Sequence, residues 1–226
     1  HPFVNESELC LIGLTKERDK TVANLPLSKI LKCRSVWMSA LSQFCVNIGW
    51  LFIVTWFVEY LMEVHQVAMS ERSDMIAIPL MVGFVGMLVG GVATDKLARV
   101  IGLRFGRAIP WSGAMVVAAL CFLACPFLDN PWSITWAMAL IALSVDFSVP
   151  SMWAFTQDVG GPYVGVVLGF GNMFGNFGAA VSPILLALVQ ESFGWDAMFQ
   201  LCGLMFLLAA AAAYFVDASK PIQMAD

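Results

Sequence analysis

Charged side chains are scarce in this 226-residue sequence. Asp, Glu, Lys and Arg make up 12% of the residues and hydrophobic residues 60%, whereas a soluble domain carries about 25% charged residues. So few polar groups cannot cover the apolar surface of one water-soluble core, which indicates a membrane protein. The net charge of −4 argues against a nucleic-acid partner, because nucleic-acid binding favours a strongly basic surface.

Histidine is nearly absent, and cysteine lacks the spacing that binds metals. The two histidines are His1 and His65, and the six cysteines form no Cys-x-x-Cys pair. Zinc sites and disulfide frameworks need such patterns, so we expect no metal and no cofactor. The sequence opens on His1 without the basic and short apolar regions of a signal peptide. We therefore expect it to be a segment of a longer protein.

Long apolar runs make up most of the chain. A helix that crosses the bilayer core needs about 20 apolar residues, and six runs reach that length. They predict an all-α membrane protein with six transmembrane helices, at residues 36–60, 75–94, 108–128, 131–155, 163–190 and 195–216. The turn residues at 129–131 predict that spans three and four form an antiparallel pair.

Basic residues are distributed unevenly around these runs. Eleven of the twelve lie before the first run, between the second and third, or after the last, and only Arg72 lies on the opposite side. The positive-inside rule assigns the basic side to the cytoplasm. We therefore expect a cytoplasmic lead-in at residues 1–35 and a transmembrane region with a cytoplasmic tail at residues 36–226. Both termini of this segment would face the cytoplasm from the cell (inner or plasma) membrane.

One ionisable side chain lies deep inside a predicted span. Asp146 is fifteen residues into the fourth run, and a charge at the bilayer centre costs about 2.5–3.5 kcal/mol on insertion scales. Pro150, Trp153 and Gln157 follow on the same helical face. This stripe predicts an aqueous cavity in which Asp146 takes up and releases a proton. The alternative is a neutral Asp146 that hydrogen-bonds to a neighbouring helix.

Uncharged amides follow helical faces in two other spans. Gln43 and Asn47 lie one turn apart in the first span, as do Asn172 and Asn176 in the fifth. Amides hydrogen-bond hydroxyls or carboxylates, but they also join membrane helices to one another. Both interpretations remain open. Helically spaced glycines predict close helix packing, at Gly83, Gly86 and Gly90 in span two and at Gly165, Gly169, Gly171 and Gly175 in span five.

Opposite charges flank the connection between spans two and three. Asp95 lies where span two ends, Arg99 follows one turn later, and Arg107 opens span three. An ion pair among them would hold two helices in one conformation. The alternative is a basic loop with one acid, which serves only to orient the protein in the membrane.

This connection resembles the loop signature of the major facilitator superfamily. Apart from Ala98, where the signature prefers Gly, it is matched by Gly91, Asp95, Lys96, Arg99 and Arg107. The segments TWFVEYL and GNMFGNFGAAVSP resemble the anion:cation symporter branch, whose members carry hexuronates, aldonates and other organic acids. The resemblance implies that the six spans form the carboxy-terminal half of a twelve-helix fold, whose amino-terminal half is missing from this chain.

The resemblance also implies a function and a site. It implies a secondary transporter that moves a small organic anion, such as a sugar acid or other carboxylate, by alternating access. The coupled cation is a proton or sodium, and the position of Asp146 favours the proton. An arginine of the missing half would hold the substrate carboxylate. The implied substrate contacts are Gln43, Asn47, Trp153, Asn172 and Asn176, and the implied gate is Asp95, Arg99 and Arg107. The proton-coupling role of Asp146 depends on its position alone.

Other functions make different demands on the sequence. An intramembrane enzyme needs a nucleophile with a base or a metal cluster, and no predicted span contains histidine. A channel would show repeated pore motifs or rings of charge. A carrier of a neutral sugar or drug-like solute, and a non-transporting sensor derived from a transporter, both remain compatible with the sequence. We therefore expect a membrane carrier and no enzyme.

Overall fold

The computed structural model describes residues 27–222, together with the isolated residues 7 and 10. The chain is helical over residues 27–222, without a strand in that range. Its helices are α1 (Leu27–Lys32), α2 (Arg34–Leu51), α3 (Phe57–Glu63), α4 (Met69–Ala124), α5 (Pro131–Gly160) and α6 (Val164–Tyr214). A π-helical segment, Phe52–Trp56, joins α2 to α3, and short 3₁₀ turns follow α4 and α5 at Cys125–Phe127 and Gly161–Tyr163. Residues 1–26 of the predicted lead-in lie outside the described residues, except for residues 7 and 10.

Within residues 27–222, three helical stretches are long and apolar enough to cross a membrane. They are Arg34–Glu63, Met69–Phe127 and Pro131–Tyr214, with 30, 59 and 84 residues. One crossing takes about 20 residues, so the second and third stretches are too long for a single crossing. The stretches agree with the predicted all-α membrane protein, while the number of six crossings stays a prediction.

Gly102 reverses the direction of the chain inside α4. Its φ of 83° and ψ of 167° are not helical, and glycine adopts a positive φ without steric cost. Ala98 and Gly106 are in contact on either side of it, although a straight helix would separate them by about 12 Å. Helix α4 therefore consists of two segments that fold back on each other.

Gly194, with a φ of 82°, produces the same reversal inside α6. Before it, Ser182 donates a hydrogen bond to the Ile48 carbonyl at 2.9 Å. After it, the Ala209 carbonyl accepts one from Ser42 at 3.1 Å. A straight helix would separate Ser182 from Ala209 by about 40 Å, yet both contact α2 within two turns. The two segments of α6 therefore both pack along α2.

Glycines bring the first segment of α4 against α5. A Cβ at Gly86 or Gly90 would collide with the backbone carbonyl of Leu143 or Phe147, respectively. Small residues permit this close approach of helix backbones in membrane proteins. The packing role predicted for the span-two glycines is therefore confirmed.

The glycines of α6 divide into two groups. Gly171 and Gly175 lie against the side chains of Gln43 and Asn47 on α2. Among the described residues, nothing lies within 4 Å of a Cβ built at Gly165 or Gly169. The packing predicted for that second pair is therefore not made within the described part of the chain.

Two features fix the ends and the centre of the bundle. The predicted turn at residues 129–131 is confirmed, because Asn130 Oδ1 accepts a hydrogen bond from the Trp132 N–H at 2.8 Å and so caps α5. The centre contains fully buried aromatic rings whose centroids lie 5.0–5.7 Å apart, contributed by Phe52, Phe122, Phe199 and Phe206. These contacts hold the second segments of α4 and α6 to the π-helical segment.

Candidate functional site

A cavity of about 290 Å³ opens between α2, α5 and α6. Its size lies at the lower end of the range for small-molecule sites. Its polar groups are amides on α2 and α6 and a carboxylate on α5, and apolar and aromatic side chains lie between them. The lining residues are Gln43, Val46, Asn47, Trp50, Trp111, Val145, Asp146, Ser148, Val149, Met152 and Asn172.

The amides of α2 are held in place by their own helix and by the glycines of α6. Gln43 Nε2 donates to Ser39 Oγ at 3.3 Å, and Asn47 Nδ2 donates to the Gln43 carbonyl at 2.9 Å. The Cβ position of Gly175 lies only 3.0 Å from Asn47 Nδ2, so a larger residue would displace that amide. Neither side-chain carbonyl oxygen of this pair accepts a hydrogen bond from the described residues, which leaves both as acceptors for a ligand.

Asp146 lies half-buried on the α5 wall of the cavity. A Cβ at Gly83 of α4 would collide with its carboxylate, so that glycine makes room for the carboxyl group. Within residues 27–222 the Asp146 side chain has neither a hydrogen-bond partner nor an ion-pair partner. The described part of the cavity thus contains an acid and amides, and its lining includes no lysine or arginine.

The structure brings together some of the predicted ligand residues and not others. Gln43, Asn47 and Asn172 line the cavity with Asp146. Trp153 lies outside it with 49% of its surface exposed, and Asn176 is also exposed outside it. The substrate contacts of Trp153 and Asn176 therefore stay predictions. In the described structure these two residues do not lie with the other predicted ligand residues.

The rest of the predicted α5 stripe also leads away from the cavity. Pro150 faces Gly91 of α4 at 4.0 Å from its Cβ position, and Gln157 is exposed. Val149 and Met152 lie at nearly the same depths along α5 and do line the cavity. The side of α5 that faces the cavity therefore runs through Val149 and Met152, and Pro150 and Trp153 point away from it.

The predicted gate contains a buried arginine with two carboxylate partners. Arg107 Nη1 lies 3.3 Å from Asp95 Oδ1, and Arg107 Nε lies 2.9 Å from Asp158 Oδ2. The Arg107 side chain is 11% exposed, whereas those of Asp95 and Asp158 are 68% and 23% exposed. The arginine therefore joins both segments of α4 to the end of α5. Arg99 is exposed and forms no ion pair with the residues described.

Sequence reasoning missed Asp158 and a second polar contact between the same two helices. Thr94 Oγ1 and Ser151 Oγ lie 2.6 Å apart and are buried between α4 and α5. The signal for Asp158 was available, because it is a lone acid at the end of span four on the side that carries the basic residues. Together these contacts join α4 to the last third of α5.

Long apolar helices around a cavity with polar groups indicate a membrane protein. Comparison with known proteins gives the family: residues 9–183 match the sequence model of the Major Facilitator Superfamily. The chain belongs to that family, which confirms the resemblance of its loop signature.

Curated relatives of this chain are named as transporters, not enzymes. It is 27% identical to a probable galactarate/D-glucarate transporter of Bacillus subtilis (strain 168) over 86% of this chain and 45% of the relative. It is 26% identical to a probable sulfoacetate transporter of Cupriavidus necator over 100% of this chain and 53% of the relative. A probable chloroplastic anion transporter of Oryza sativa is 24% identical over 92% of this chain and 39% of the relative. The chain spans about half the length of these relatives.

Proposed function

We propose that this chain is the carboxy-terminal half of a secondary active transporter that moves a small organic anion. The family supports a carrier, and the relatives named for galactarate/D-glucarate and sulfoacetate support an anionic substrate. The observation that carries the proposal is the cavity, in which two fixed amides of α2 present side-chain oxygens that accept no hydrogen bond from the described residues. Such groups suit a ligand that presents several hydroxyls.

The charge of the substrate is balanced from outside the described cavity. A carboxylate beside Asp146 would meet a like charge whenever Asp146 is ionised, and the lining has no cation. We place the missing cation, an arginine that grips the carboxylate through two hydrogen bonds, on the amino-terminal half. The site is thus shared between two halves, in keeping with the share of its relatives that this chain covers.

Asp146 is the proposed proton carrier of the transporter. It is the acid of the cavity, it lies beside the amides, and the described residues hold it in no ion pair. A carboxyl group that is alternately wetted and shielded exchanges a proton at each cycle. Proton symport follows from this exchange.

Alternating access requires contacts that form in one state and break in the other. The Arg107 pairs with Asp95 and Asp158 meet this requirement, because they connect three helical segments at one end of the bundle. We propose that they stabilise the state in which this end is closed. Arg99 is exposed and contributes positive charge to the loop rather than an ion pair in this state.

The proposed orientation places the Arg107 end in the cytoplasm, on the strength of the basic residues. It can be tested by cysteine labelling at two exposed positions, Ser70 and Leu103. In intact cells, a membrane-impermeant reagent should label Ser70→Cys, and it should label Leu103→Cys only after permeabilisation. The reverse pattern would contradict the orientation.

Uptake by the full-length protein in proteoliposomes tests the function. Labelled D-glucarate, galactarate and sulfoacetate should accumulate when the interior is alkaline, and glucose should not. Glucose uptake would instead support a carrier for neutral solutes. Binding of an organic acid without uptake would contradict transport and indicate a sensor.

A further inference from the structure

A second cavity, of about 270 Å³, lies at the Arg107 end of the bundle and away from the central site. It is enclosed by the start of α2, the α4 segment after Gly102 and the chain that follows α6. Three of its lining side chains are basic, namely Arg34, Arg104 and Lys220, and one is acidic, Asp217. These three stretches are distant in sequence, so the fold itself gathers the positive charge.

The cavity carries a net positive charge. Lys220 Nζ lies 3.4 Å from Asp217 Oδ2, whereas Arg34 and Arg104 have no carboxylate within ion-pair distance in the described range. Burial alone would raise the pKa of Asp217, but hydrogen bonds from Ser219 and the charge of Lys220 outweigh it and lower that pKa. With Asp217 ionised, the three basic groups still exceed the acid by two charges.

The walls of this cavity are fixed by specific contacts. The Asp217 backbone N–H donates to Ser35 Oγ at 3.1 Å, which ties the chain after α6 to the first turn of α2. The Ser219 backbone N–H donates to Asp217 Oδ1 at 3.0 Å. The Arg34 guanidinium lies 5.6 Å from the ring centroid of Phe215, within the range of a cation–π contact. This contact places the exposed Arg34 side chain at the edge of the cavity.

The surroundings of the cavity are apolar and exposed. Phe215, which lines it, is 54% exposed, and the adjacent Tyr214 is 52% exposed at the end of α6. Leu31, close before Arg34, is 48% exposed. Aromatic residues beside basic ones at the end of a membrane helix are typical of the bilayer interface. A ligand here would meet cationic groups on one side and apolar surface on the other.

We propose that this cavity binds the phosphate group of an anionic phospholipid, with Arg34 and Arg104 as its main contacts. Basic pockets between helices at the membrane surface suit phosphate headgroups, and guanidinium groups bind phosphate oxygens in pairs. The exposed aromatic residues favour a lipid over free phosphate, since they can contact the glycerol and acyl carbons. This site is independent of the transported substrate.

Native mass spectrometry of the full-length protein, with phosphatidylglycerol and phosphatidylcholine, tests the proposal. The wild type should retain phosphatidylglycerol preferentially. Loss of each guanidinium contact with the lipid phosphate should weaken affinity by about fivefold, so Arg34→Gln/Arg104→Gln should weaken phosphatidylglycerol binding by roughly thirtyfold. The matched control Lys32→Gln/Lys96→Gln removes two exposed lysines outside the cavity and should leave binding unchanged.

Two further arms complete the test. Lys220, whose side chain is 81% exposed, can be replaced without disturbing packing, and Lys220→Gln should weaken binding by about fivefold. In a competition experiment, displacement of the lipid by excess inorganic phosphate would show that the phosphate group alone is recognised. If the lipid stays bound, its carbon skeleton contributes to binding. Both results support the site. Unchanged lipid binding in the arginine variant, or an equal loss in the lysine control, would overturn the proposal.

Discussion

The Nε of Arg107 donates a hydrogen bond of 2.9 Å to Oδ2 of Asp158. The two residues are 51 positions apart in the chain, and they join the start of the second α4 segment to the end of α5. Because both side chains are largely removed from water, this pair is less screened than the longer contact between Arg107 and the exposed Asp95. Asp158 is therefore the stronger of the two partners.

This difference predicts the order of effects at the gate. Asp158→Asn should change the maximal uptake rate more than Asp95→Asn does. The effect of Asp158→Asn on that rate should be about fivefold or more, since a partly exposed ion pair contributes on the order of 1 kcal/mol. The half-saturation concentration should change less than the rate, because neither residue lines the substrate cavity. Initial rates in proteoliposomes give both quantities. Glu191→Gln, at an exposed position, is the control. Equal rates in all three variants would show that Asp95 and Asp158 do not act as a gate and serve only to orient the protein in the membrane.

Two adjacent glycines of α4 provide a matched test of helix packing. A Cβ at Gly90 would collide with the Phe147 carbonyl, whereas a Cβ at Gly91 meets Pro150 only at 4.0 Å. Gly90→Ala should therefore lower the stability by about 1–3 kcal/mol through overpacking. Gly91→Ala should be neutral or stabilising by up to about 1 kcal/mol, because alanine favours the helix. Thermal melting of the purified protein compares the two, and equal melting temperatures would show that the helices do not approach so closely.

The same glycines show what the sequence could predict. Helical spacing identified the faces that pack, and composition identified the apolar helices, because both depend on local periodicity and hydrophobicity. Periodicity does not state which helix a face meets. The Arg107–Asp158 pair was therefore not predicted, although its residues lie at the ends of neighbouring spans.

The direction in which the cavity lies around the helix axis was the second quantity that periodicity did not supply. Trp153 shares a helical face with Asp146, yet it lies outside the cavity, whereas the adjacent Met152 lines it. Asn172 and Asn176 share a face of α6, and of these two only Asn172 lines the described cavity. The shape of the cavity depends on where three helices approach one another, and that is a property of tertiary packing.

Asp146 should determine whether uptake is driven by a proton gradient. Asp146→Asn cannot release a proton, so accumulation driven by pH should be lost while exchange of labelled for unlabelled substrate continues. Parallel uptake and counterflow assays measure the two activities. The exposed Glu71 provides the control variant Glu71→Gln, which should keep both. Full accumulation by Asp146→Asn would place proton coupling elsewhere in the protein.

His65 should make stability depend on pH. Burial lowers the pKa of its imidazole below the ordinary value of 6.5, against a smaller opposing effect of Asp129, and His65 Nε2 lies 3.2 Å from the Tyr60 hydroxyl. The unfolded chain therefore binds the proton first as the pH falls. The contribution of His65 is fully present above about pH 6.5 and is lost as the pH falls through the lower, folded pKa. The melting temperature of the wild type should accordingly fall more on acidification than that of His65→Gln, and identical pH dependence would contradict the burial of the neutral ring.

Asn172 and Asn176 lie one turn apart on α6, but Asn172 lines the described cavity and Asn176 does not. If the substrate occupies this cavity, Asn172→Ala removes a hydrogen bond to a charged ligand, which contributes about 1.5–3 kcal/mol and weakens affinity by roughly tenfold or more. Asn47→Ala should have a similar effect, since its amide lies on the facing helix of the same cavity.

Asn176→Ala is the matched comparison, with the same chemical change one turn away. Half-saturation concentrations from uptake and dissociation constants from isothermal titration of the full-length protein should show a clear loss for Asn172→Ala and a smaller one for Asn176→Ala. The opposite order would mean that the substrate lies further along α6, where the other half of the transporter closes the site. In that case the Asn176 contact implied by the family pattern would hold, and the described cavity would be a solvent-filled approach to the binding site.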